Sequence, residues 1–321
     1  MYHYSICYVL TDDESKKYTK QMLVSLMSLK KHMPDIHVNI LMDVDTYEKV
    51  DAAIIYSIGS DISIVSVETP KGYSKVLASR HLKTSIRSHI KGDFLYIDTD
   101  TVVCRAFPER ISEKSLGFVE DRNRSISECE YTYNCLKRYY SCFPYDIDAY
   151  SAFYNGGVIW SRDDQISKRF FSDWHDEWLN ENQALMKQDQ PSLNYTLHSS
   201  YRDHVETLPK AWNFVVGSWP ALIHEVTSAY IIHYIYDFDK VFLLCYEENL
   251  DNMEVIQGVI NHPYTSFVPY RLTLLSDEYH SFYDKRDELQ RAVYNFSRRH
   301  PGGYRQLCRL TSFVRKIRHR R

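Results

Sequence analysis

Short apolar runs alternate with helical patterns along the first hundred residues, and this alternation constrains the fold more than any other feature of the chain. Each run has the length of a strand: 4–10, 37–42, 62–67 and 93–97. One of the intervening helical patterns repeats an apolar residue every three or four positions and stops before a proline: Tyr18, Met22, Leu26, Leu29 and Met33. Strands joined by helices pair in parallel, so we predict an α/β fold with a parallel sheet and helices on both faces.

The alternation weakens after residue 105. Further strands are predicted at 116–120, 156–161 and 230–234. A long helix is indicated by large apolar residues spaced four apart: Ile166, Phe170, Trp174 and Trp178. Residues 121–150 are polar and rich in Tyr, and are predicted to form a loop or lid over a cleft.

The C-terminal residues form a separate unit in this interpretation. Residues 277–299 and 303–318 have the pattern of two terminal helices. A length of 321 residues suits either one α/β core with an extension or two unequal lobes. We predict the first arrangement, with a domain at 1–275 and a helical, basic extension at 276–321.

The charge of the chain is distributed unevenly. The formal net charge of −3 argues against nucleic acid as the main partner. Residues 298–321 nevertheless hold nine Lys or Arg residues and no acid, which leaves 30 Lys and Arg against 42 Asp and Glu in the preceding residues. Apolar residues in this tail recur at helical spacing, so it is predicted to form a basic amphipathic helix. Such a helix is suited to an anionic membrane surface; docking on the acidic body of the protein is the alternative.

The N-terminal residues and the cysteines bear on the cellular compartment. Residues 1–6 contain no basic segment followed by an apolar one, and no stretch approaches the ~18 apolar residues of a membrane span. The seven Cys residues are scattered and include no CxxC pair, which is typical of reduced structural thiols. We therefore expect a cytoplasmic protein, held at the inner face of the membrane if the basic tail binds lipid.

One pair of Asp residues with D-x-D spacing stands out by its position. Asp98 and Asp100 directly follow the apolar run 94–97, so both carboxylates are predicted at the carboxyl end of a central strand. Ligands of open α/β sheets bind at that edge. Apolar residues also follow the pair, and carboxylates beside a core are costly unless a hard divalent cation neutralises them. A metal site is therefore favoured over an Asp that only caps a turn.

Three other D-x-D pairs occur in the chain. Asp43 and Asp45 also end an apolar run, but a helix start follows directly, so Asp45 is interpreted as a helix N-cap. The pairs at 146/148 and 237/239 lie in polar or mixed sequence and are interpreted as solvated.

Several blocks of the sequence, in order, resemble those of the GT-A-fold glycosyltransferases, especially the family 8 group of glycogenin and bacterial lipopolysaccharide galactosyltransferases. The resemblance extends from about residue 4 to about residue 235. It rests on these blocks together: Tyr8-Val-Leu-Thr-Asp-Asp13, Phe94-Leu-Tyr-Ile-Asp-Thr-Asp-Thr-Val-Val103, Tyr154-Asn-Gly-Gly-Val-Ile-Trp160, Asp189-Gln-Pro-Ser-Leu-Asn194, Leu208-Pro-Lys-Ala-Trp-Asn213 and Ile231-Ile-His233.

The resemblance implies a GT-A (Rossmann-like) fold with a mixed, mostly parallel sheet. It implies a retaining transfer of a hexose from a nucleotide-sugar donor, a UDP-sugar by analogy, to a saccharide or lipid-linked acceptor such as lipopolysaccharide. The implied cofactor is Mn²⁺ or Mg²⁺, with Asp98, Asp100 and His233 as metal ligands, and Asp189 and Gln190 are the implied catalytic residues. The implied substrate-binding residues are Thr11, Asp12, Asp13, Tyr18, Arg80, Lys83, Asp98, Thr99, Asn155, Gly156, Gly157, Trp212 and Asn213.

The chain departs from the family pattern in two places. After the His, the family has a Gly three residues on and then Lys-Pro-Trp; here Tyr236 occupies the Gly position and Asp239 the Lys position, with Lys240 one residue beyond. On the helix before the D-x-D strand the family has one basic residue, whereas this chain has three: Arg80, Lys83 and Arg87.

Some of these residues also have a purely structural interpretation. Asp189 precedes a Pro-initiated helix and could be its N-cap. Gly156 and Gly157 could form a bend with positive φ, or they could allow a ligand to approach the backbone closely. His233 could be a hydrogen-bonded core histidine, and Tyr18 fits the buried stripe of its helix.

Two other functions are compatible with the sequence. A nucleotidyltransferase also places acids and a metal beside a Rossmann-like sheet, but it would have a Gly-rich basic loop after the first strand, where this chain has acidic residues at 12–14. A non-catalytic carbohydrate-binding protein on a transferase fold would bind no metal, and the altered segment after His233 is consistent with it.

Overall fold

A computed structural model describes residues 2–121, 146, 150–182, 188–216, 226–234, 242–266, 300 and 303. The strands of these residues are β1 (Tyr4–Leu10), β2 (Val38–Asp43), β3 (Ile62–Val67), β4 (Asp93–Ile97), β5 (Thr101–Val103), β6 (Leu116–Glu120), β7 (Tyr154–Ser161), β8 (Val205–Thr207), β9 (Phe214–Val215) and β10 (Ile231–His233). The α-helices are α1 (Lys17–His32), α2 (Val44–Lys49), α3 (Ala52–Ile58), α4 (Lys75–Thr84), α5 (Ile86–His89), α6 (Gln165–Asn182), α7 (Gln190–Thr196) and α8 (Met253–Asn261).

The larger sheet has β4 at its centre. Its strand order is β3-β2-β1-β4-β7-β6-β8. The first four of these strands are parallel neighbours, β7 is antiparallel to both β4 and β6, and β8 is parallel to β6. The predicted α/β fold is therefore confirmed, with a mixed, mostly parallel sheet. The sheet departs from the wholly parallel arrangement that the alternation alone predicted because β7 runs against its neighbours.

Helices cover both faces of this sheet, as predicted. On one face, Leu26 of α1 is fully buried in a core with residues of β1, β2, β4 and β7. On the other face, Leu82 of α4 and Trp174 of α6 are fully buried together. β1 is buried along its whole length, as expected of a strand covered on both sides.

A smaller sheet, β5-β10-β9, lies next to the D-x-D segment. β5 begins directly after that segment, and β10 pairs with it antiparallel, with His233 opposite Thr101. β10 also pairs parallel with β9, so that His233 lies opposite Val215. This register brings a residue more than 130 positions downstream to the end of β4. A further core, which includes Ile256 of α8, packs around this sheet.

Two local predictions need correction. The helix predicted over 74–90 is two helices, α4 and α5, which meet at Ser85, where the hydroxyl donates to the His81 carbonyl (2.7 Å). α2 has Asp43 in the N-cap position and Asp45 in its first turn. The N-cap interpretation of Asp45 is therefore wrong; its carboxylate lies 2.7 Å from Lys75 Nζ instead.

Several other expectations fall outside the described residues. These are most of the predicted loop or lid at 121–150, the segment 235–241 after His233, the terminal helices and the domain boundary at 275. Among the helices that the structure describes, none has both the length and the apolar character needed to cross a membrane.

Candidate active site

Asp98 and Asp100 follow the end of the central strand β4, as predicted. The Asp98 N–H donates to the Gly157 carbonyl on β7 (2.8 Å). The Thr101 hydroxyl donates to the Asp98 carbonyl (2.8 Å) and forms a buried hydrogen bond with the Ser25 hydroxyl of α1 (2.7 Å). The backbone that carries the two carboxylates is thus attached to the sheet and to α1.

The imidazole of His233 faces both carboxylates. Its Nε2 atom lies 3.1 Å from Asp100 Oδ1 and 3.8 Å from Asp98 Oδ2, and the side chain is fully buried. One potential ligand atom from each of the three residues lies within 4.8 Å of the others. Burial lowers the pKa of His233, but the carboxylates of Asp100 and Asp98 outweigh burial and raise it. His233 is therefore a buried, hydrogen-bonded histidine whose Nε2 atom faces two carboxylates, and its role as a metal ligand stays a prediction.

Gly157 leaves the space that His233 occupies. A Cβ atom at Gly157 would lie 2.3 Å from His233 Cε1, and one at Gly156 would lie 3.3 Å from Lys83 Nζ. Both glycines are within β7, and among the described glycines positive φ is confined to Gly72 and Gly92. The bend interpretation is therefore wrong. The groups that approach this backbone closely are the side chains of His233 and Lys83.

Two buried amides connect His233 to Asp121. Asn155 Nδ2 donates to Asp121 Oδ1 (2.9 Å), and Asn155 Oδ1 accepts from the Gly157 N–H (2.8 Å) and from Asn213 Nδ2 (2.9 Å). Asn213 Oδ1 lies 2.8 Å from His233 Nδ1. Both amides are implied as substrate-binding residues by the resemblance, yet their exposures are 4% and 0%.

Asp189 joins the site through two ion pairs. It occupies the N-cap position of α7, but its side chain makes no capping hydrogen bond. Its Oδ1 lies 3.0 Å from Arg80 Nε, and its Oδ2 lies 3.0 Å from Lys83 Nζ, which also lies 3.3 Å from Asp98 Oδ1. Burial raises the pKa of Asp189, but the two cations outweigh burial and lower it to about 2. Asp189 is therefore ionised at neutral pH and does not act as a capping side chain.

Hydrogen bonds from the core hold the start of α7 next to β7. Trp174 Nε1 donates to the Asp189 carbonyl (3.2 Å). The Asn194 amide accepts from the Tyr154 N–H (2.6 Å) and donates to the carbonyls of Tyr154 and Gln190 (both 2.9 Å). Gln190, the second implied catalytic residue, is half-buried beside Asp189.

Of the three basic residues before the D-x-D strand, two reach the site. Arg80 and Lys83 lie on α4 and contact Asp189. Arg87 lies on α5, where its guanidinium donates to the carbonyls of Gly92 (2.6 Å) and Ser161 (3.0 Å). Arg87 therefore has a structural role, away from the carboxylates.

A cleft of about 300 Å³ opens beside the carboxylates. Its lining includes Asp98, Thr99, Asp100 and Arg80, together with Thr11, Lys17, Tyr18 and Lys75. The Tyr18 side chain is 42% exposed, so its assignment to the buried stripe of α1 is wrong. Six of the implied site residues thus share one cleft: Thr11, Tyr18, Arg80, Asp98, Thr99 and Asp100.

Three other implied substrate-binding residues lie elsewhere. Asp12 and Asp13 line a neighbouring pocket of about 490 Å³; Asp12 is buried and accepts from the N–H groups of Asp13 (2.9 Å) and Thr19 (2.6 Å). Trp212 is 5% exposed and stacks on Tyr230 in the core, with ring centroids 4.6 Å apart. These contacts give Asp12 and Trp212 a role in the fold, and their implied contacts with the substrate stay predictions.

The sequence interpretation missed several residues of the site, and three of them make polar contacts with Asp or Asn side chains. The Tyr96 hydroxyl donates a short hydrogen bond to Asp98 Oδ1; residues two apart on a strand share a face, so its position before Asp98 could have revealed it. Lys75 lines the cleft and pairs with the D-x-D acids at 43/45, with its Nζ 2.7 Å from Asp43 Oδ2. Asp121 carries no sequence signal, because its contact with Asn155 depends on how β6 and β7 pair.

The fold is similar to that of solved glycosyltransferases. A galactosyltransferase, LgtC, solved with donor and acceptor sugar analogs, aligns with a TM-score of 0.51 at 15% identity over 79% of this chain and 95% of its own. An active-site mutant of LgtC aligns with a TM-score of 0.53 at 14% identity over the same shares. Mouse xyloside xylosyltransferase 1 aligns with a TM-score of 0.47 at 11% identity over 72% of this chain and 97% of its own. The two alignments with LgtC show a GT-A fold.

The family is established by the sequence itself. No curated protein sequence matches the chain. The profile described as "Glycosyl transferase family 8" matches residues 13–238, which is more than half of the chain and includes the D-x-D segment, Asp189 and His233. The chain belongs to glycosyl transferase family 8, has the GT-A fold and is a glycosyltransferase.

Proposed function

We propose that the protein transfers a hexose, with retention, from a nucleotide-sugar donor to a saccharide or lipid-linked acceptor in a metal-dependent reaction. The donor is a UDP-sugar in this proposal. The observation that carries it is that the buried His233 faces Asp98 and Asp100, the two carboxylates that line the cleft. Arg80 lines the same cleft, and Lys83 Nζ lies 3.3 Å from Asp98 Oδ1. Carboxylates and an imidazole suit a divalent metal, and cations suit a diphosphate.

The residues present fit a divalent cation. Two carboxylate oxygens and one imidazole nitrogen are ligands suited to Mn²⁺ and acceptable to Mg²⁺. Without a metal ion, a protonated imidazole would have to balance the negative charge of the two carboxylates. A divalent ion would instead bind all three groups. Gly157 leaves room for His233 to reach this position. When bound, the ion would neutralise the departing diphosphate as a Lewis acid.

The protein groups around the carboxylates suit the leaving group and the sugar. Arg80 lines the cleft, where its guanidinium can donate charge-assisted hydrogen bonds to phosphate oxygens. Asp189, ionised and nearly buried, is suited to stabilise positive charge that develops on the sugar ring in an oxocarbenium-like transition state. The exposed ring of Tyr18 offers a flat face to a uracil base.

The two other functions predict different behaviour. A nucleotidyltransferase is disfavoured by the family assignment and by the acidic residues after β1. A non-catalytic sugar-binding protein would hydrolyse no donor in the presence of Mn²⁺. The D-x-D pair Asp43 and Asp45 is not a competing metal site, because Lys75 already supplies the positive charge between the two carboxylates.

The test is donor hydrolysis with UDP-, GDP- and dTDP-hexoses, with and without Mn²⁺, after a thermal-shift screen for donor binding. We expect UDP-hexose hydrolysis that needs metal, and a loss of about 100-fold or more in Asp98→Asn. The matched control is Asp163→Asn, which removes a carboxylate that accepts from the Gly92 N–H before β4 (2.7 Å) and should retain activity. Metal-independent hydrolysis, or full activity in Asp98→Asn, would contradict the proposal.

A membrane-associated acceptor is the second part of the proposal. Residues 298–321 hold nine Lys or Arg residues and no acid, and each basic residue near an anionic surface contributes about 1 kcal/mol of binding. We expect the chain truncated before residue 298 to lose binding to anionic liposomes and to retain UDP-hexose hydrolysis. Unchanged liposome binding would contradict membrane binding by this tail and would not affect the proposal for the active site.

A further inference from the structure

Four polar side chains form a continuous buried path that ends at His233, the proposed metal ligand. The path runs from Asp121 through Asn155 and Asn213 to His233, with the Gly157 N–H attached to Asn155. Each of the four side-chain residues is at most 4% exposed. Because unpaired polar groups are costly in such surroundings, each donor along this path must meet an acceptor.

The direction of every hydrogen bond on the path follows from its two unambiguous ends. The Gly157 N–H can only donate, so the Asn155 atom that faces it is the oxygen. The Asn155 nitrogen therefore faces the carboxylate of Asp121, which can only accept when ionised. The same Asn155 oxygen receives the Asn213 nitrogen, so the Asn213 oxygen must face His233 Nδ1.

This direction determines the tautomer of His233. The Asn213 oxygen has no proton to give, so His233 Nδ1 carries the proton and donates it. A neutral imidazole then has its lone pair on Nε2, the atom that faces Asp100 at 3.1 Å. Metal-binding histidines commonly donate their other N–H in this way, and that partner sets the ring orientation and the ligand's basicity.

We propose that Asn213 is a positioning residue of the metal site, which holds His233 as the Nδ1–H tautomer, and that Asn155 and Asp121 fix the Asn213 amide in the required direction. This inference rests on the proposed metal-dependent function. According to this inference, the amides of Asn155 and Asn213 support the metal site and do not contact the substrate. A substrate contact is disfavoured because both amides are buried and already hydrogen-bonded to protein.

The test is the affinity for Mn²⁺, measured by electron paramagnetic resonance on the full chain without donor. We expect Asn213→Ala to weaken Mn²⁺ binding about 10- to 100-fold. The matched control is Asn194→Ala. The Asn194 amide is equally buried and also makes three hydrogen bonds, but its partners are backbone groups of Tyr154 and Gln190. The control should retain the wild-type Mn²⁺ affinity even where it loses stability.

A second variant and a second measurement test the inference if Asn213→Ala does not fold. Asn213→Asp keeps an acceptor for His233 Nδ1, so we expect it to bind Mn²⁺ at least ten times more tightly than Asn213→Ala. In the wild-type protein loaded with Mg²⁺, ¹⁵N spectra of the imidazoles should show His233 protonated at Nδ1 and unprotonated at Nε2, with assignment from the His233→Gln variant.

The outcomes separate this inference from the proposed function. Wild-type protein that binds no Mn²⁺ would overturn both. Wild-type binding with unchanged affinity in Asn213→Ala, or a His233 proton on Nε2 in the Mg²⁺-loaded protein, would overturn the positioning role alone and leave the metal site standing.

Discussion

Lys83 Nζ lies 3.0 Å from Asp189 Oδ2, and this ion pair is almost completely buried between α4 and the start of α7. The same ammonium lies 3.3 Å from Asp98 Oδ1, so a single cation joins the D-x-D carboxylate to the implied catalytic carboxylate. The two acids approach one another without unbalanced negative charge because Lys83 and Arg80 stand beside them.

Removal of the Lys83 ammonium should destabilise the fold and the site together. Lys83→Met leaves two carboxylates near one another with less compensation, and the loss of one partner of a buried pair costs about 3 kcal/mol. We expect a decrease of this size in the free energy of unfolding, measured with urea, and a loss of transferase activity. The control is Lys168→Met: Lys168 pairs with Asp163 but is about half exposed, so its loss should cost less than about 1 kcal/mol.

The stability contributed by the ionised Asp189 should decrease in acid. Its folded-state pKa of about 2 lies below the ordinary value of 3.8 for an Asp side chain. This contribution is therefore complete well above pH 3.8 and is lost as the pH falls through 3.8 towards 2. It amounts to about 2 kcal/mol at pH 6 and about 1 kcal/mol at pH 3.

Urea unfolding of the wild type and of Asp189→Asn at several pH values measures this effect. The stability difference between the two proteins should shrink by about 1 kcal/mol between pH 6 and pH 3. A difference that stays constant over this range would mean that Arg80 and Lys83 do not depress the pKa of Asp189.

A methyl group at Gly157 should disrupt the metal site. The Cβ of Gly157→Ala would lie 2.3 Å from His233 Cε1, so the imidazole must move away from the carboxylates. We expect a loss of Mn²⁺ affinity and a destabilisation of at least about 1 kcal/mol. At Gly156 the closest atom is the flexible end of Lys83 at 3.3 Å, so Gly156→Ala should have a smaller effect on Mn²⁺ binding.

The control for these glycines lies on α8. A Cβ at Gly258 would meet no atom within 4 Å among those that the structure describes. Gly258→Ala should therefore stabilise the protein by about 0.5–1 kcal/mol, because alanine favours the helix. Equal destabilisation by Gly157→Ala and Gly258→Ala, measured by thermal unfolding, would contradict the claim that His233 requires a residue without a side chain at position 157.

The aromatic ring of Tyr18 should contribute to nucleotide binding. Tyr18 lines the cleft with an exposed side chain, and the stacking of a base on an aromatic ring contributes about 1–3 kcal/mol. We expect Tyr18→Ala to weaken UDP binding at least about fivefold in calorimetry without a loss of stability. Tyr47→Ala removes a similarly exposed ring that does not line the cleft and should leave UDP affinity unchanged.

Local sequence patterns determined the elements and their types. The apolar runs predicted β1, β2, β3 and β4 to within one residue at each end. For β1, β2 and β4 the reason is that strands buried on both faces are nearly continuous in apolar residues, whereas β3 at the sheet edge is only partly buried. The D-x-D was correctly placed at the carboxyl end of the central strand for the same reason. The family blocks also predicted that Asp98, Asp100 and His233 would converge, although β10 is far from β4 along the chain.

Only the tertiary structure decided what each side chain of these blocks touches. Asn155 and Asn213 carry the amides of two family blocks, yet they are buried and hydrogen-bonded to one another, and neither lines the cleft. β7 and β9 belong to different sheets, so this contact depends on how the two sheets pack. Asp12 and Trp212 are likewise engaged by backbone and core. Hydrophobic periodicity specifies which face of an element is buried, but hydrogen bonds between distant segments depend on register and packing. The carboxylate pair could therefore be predicted from the sequence, and the polar path to His233 could not.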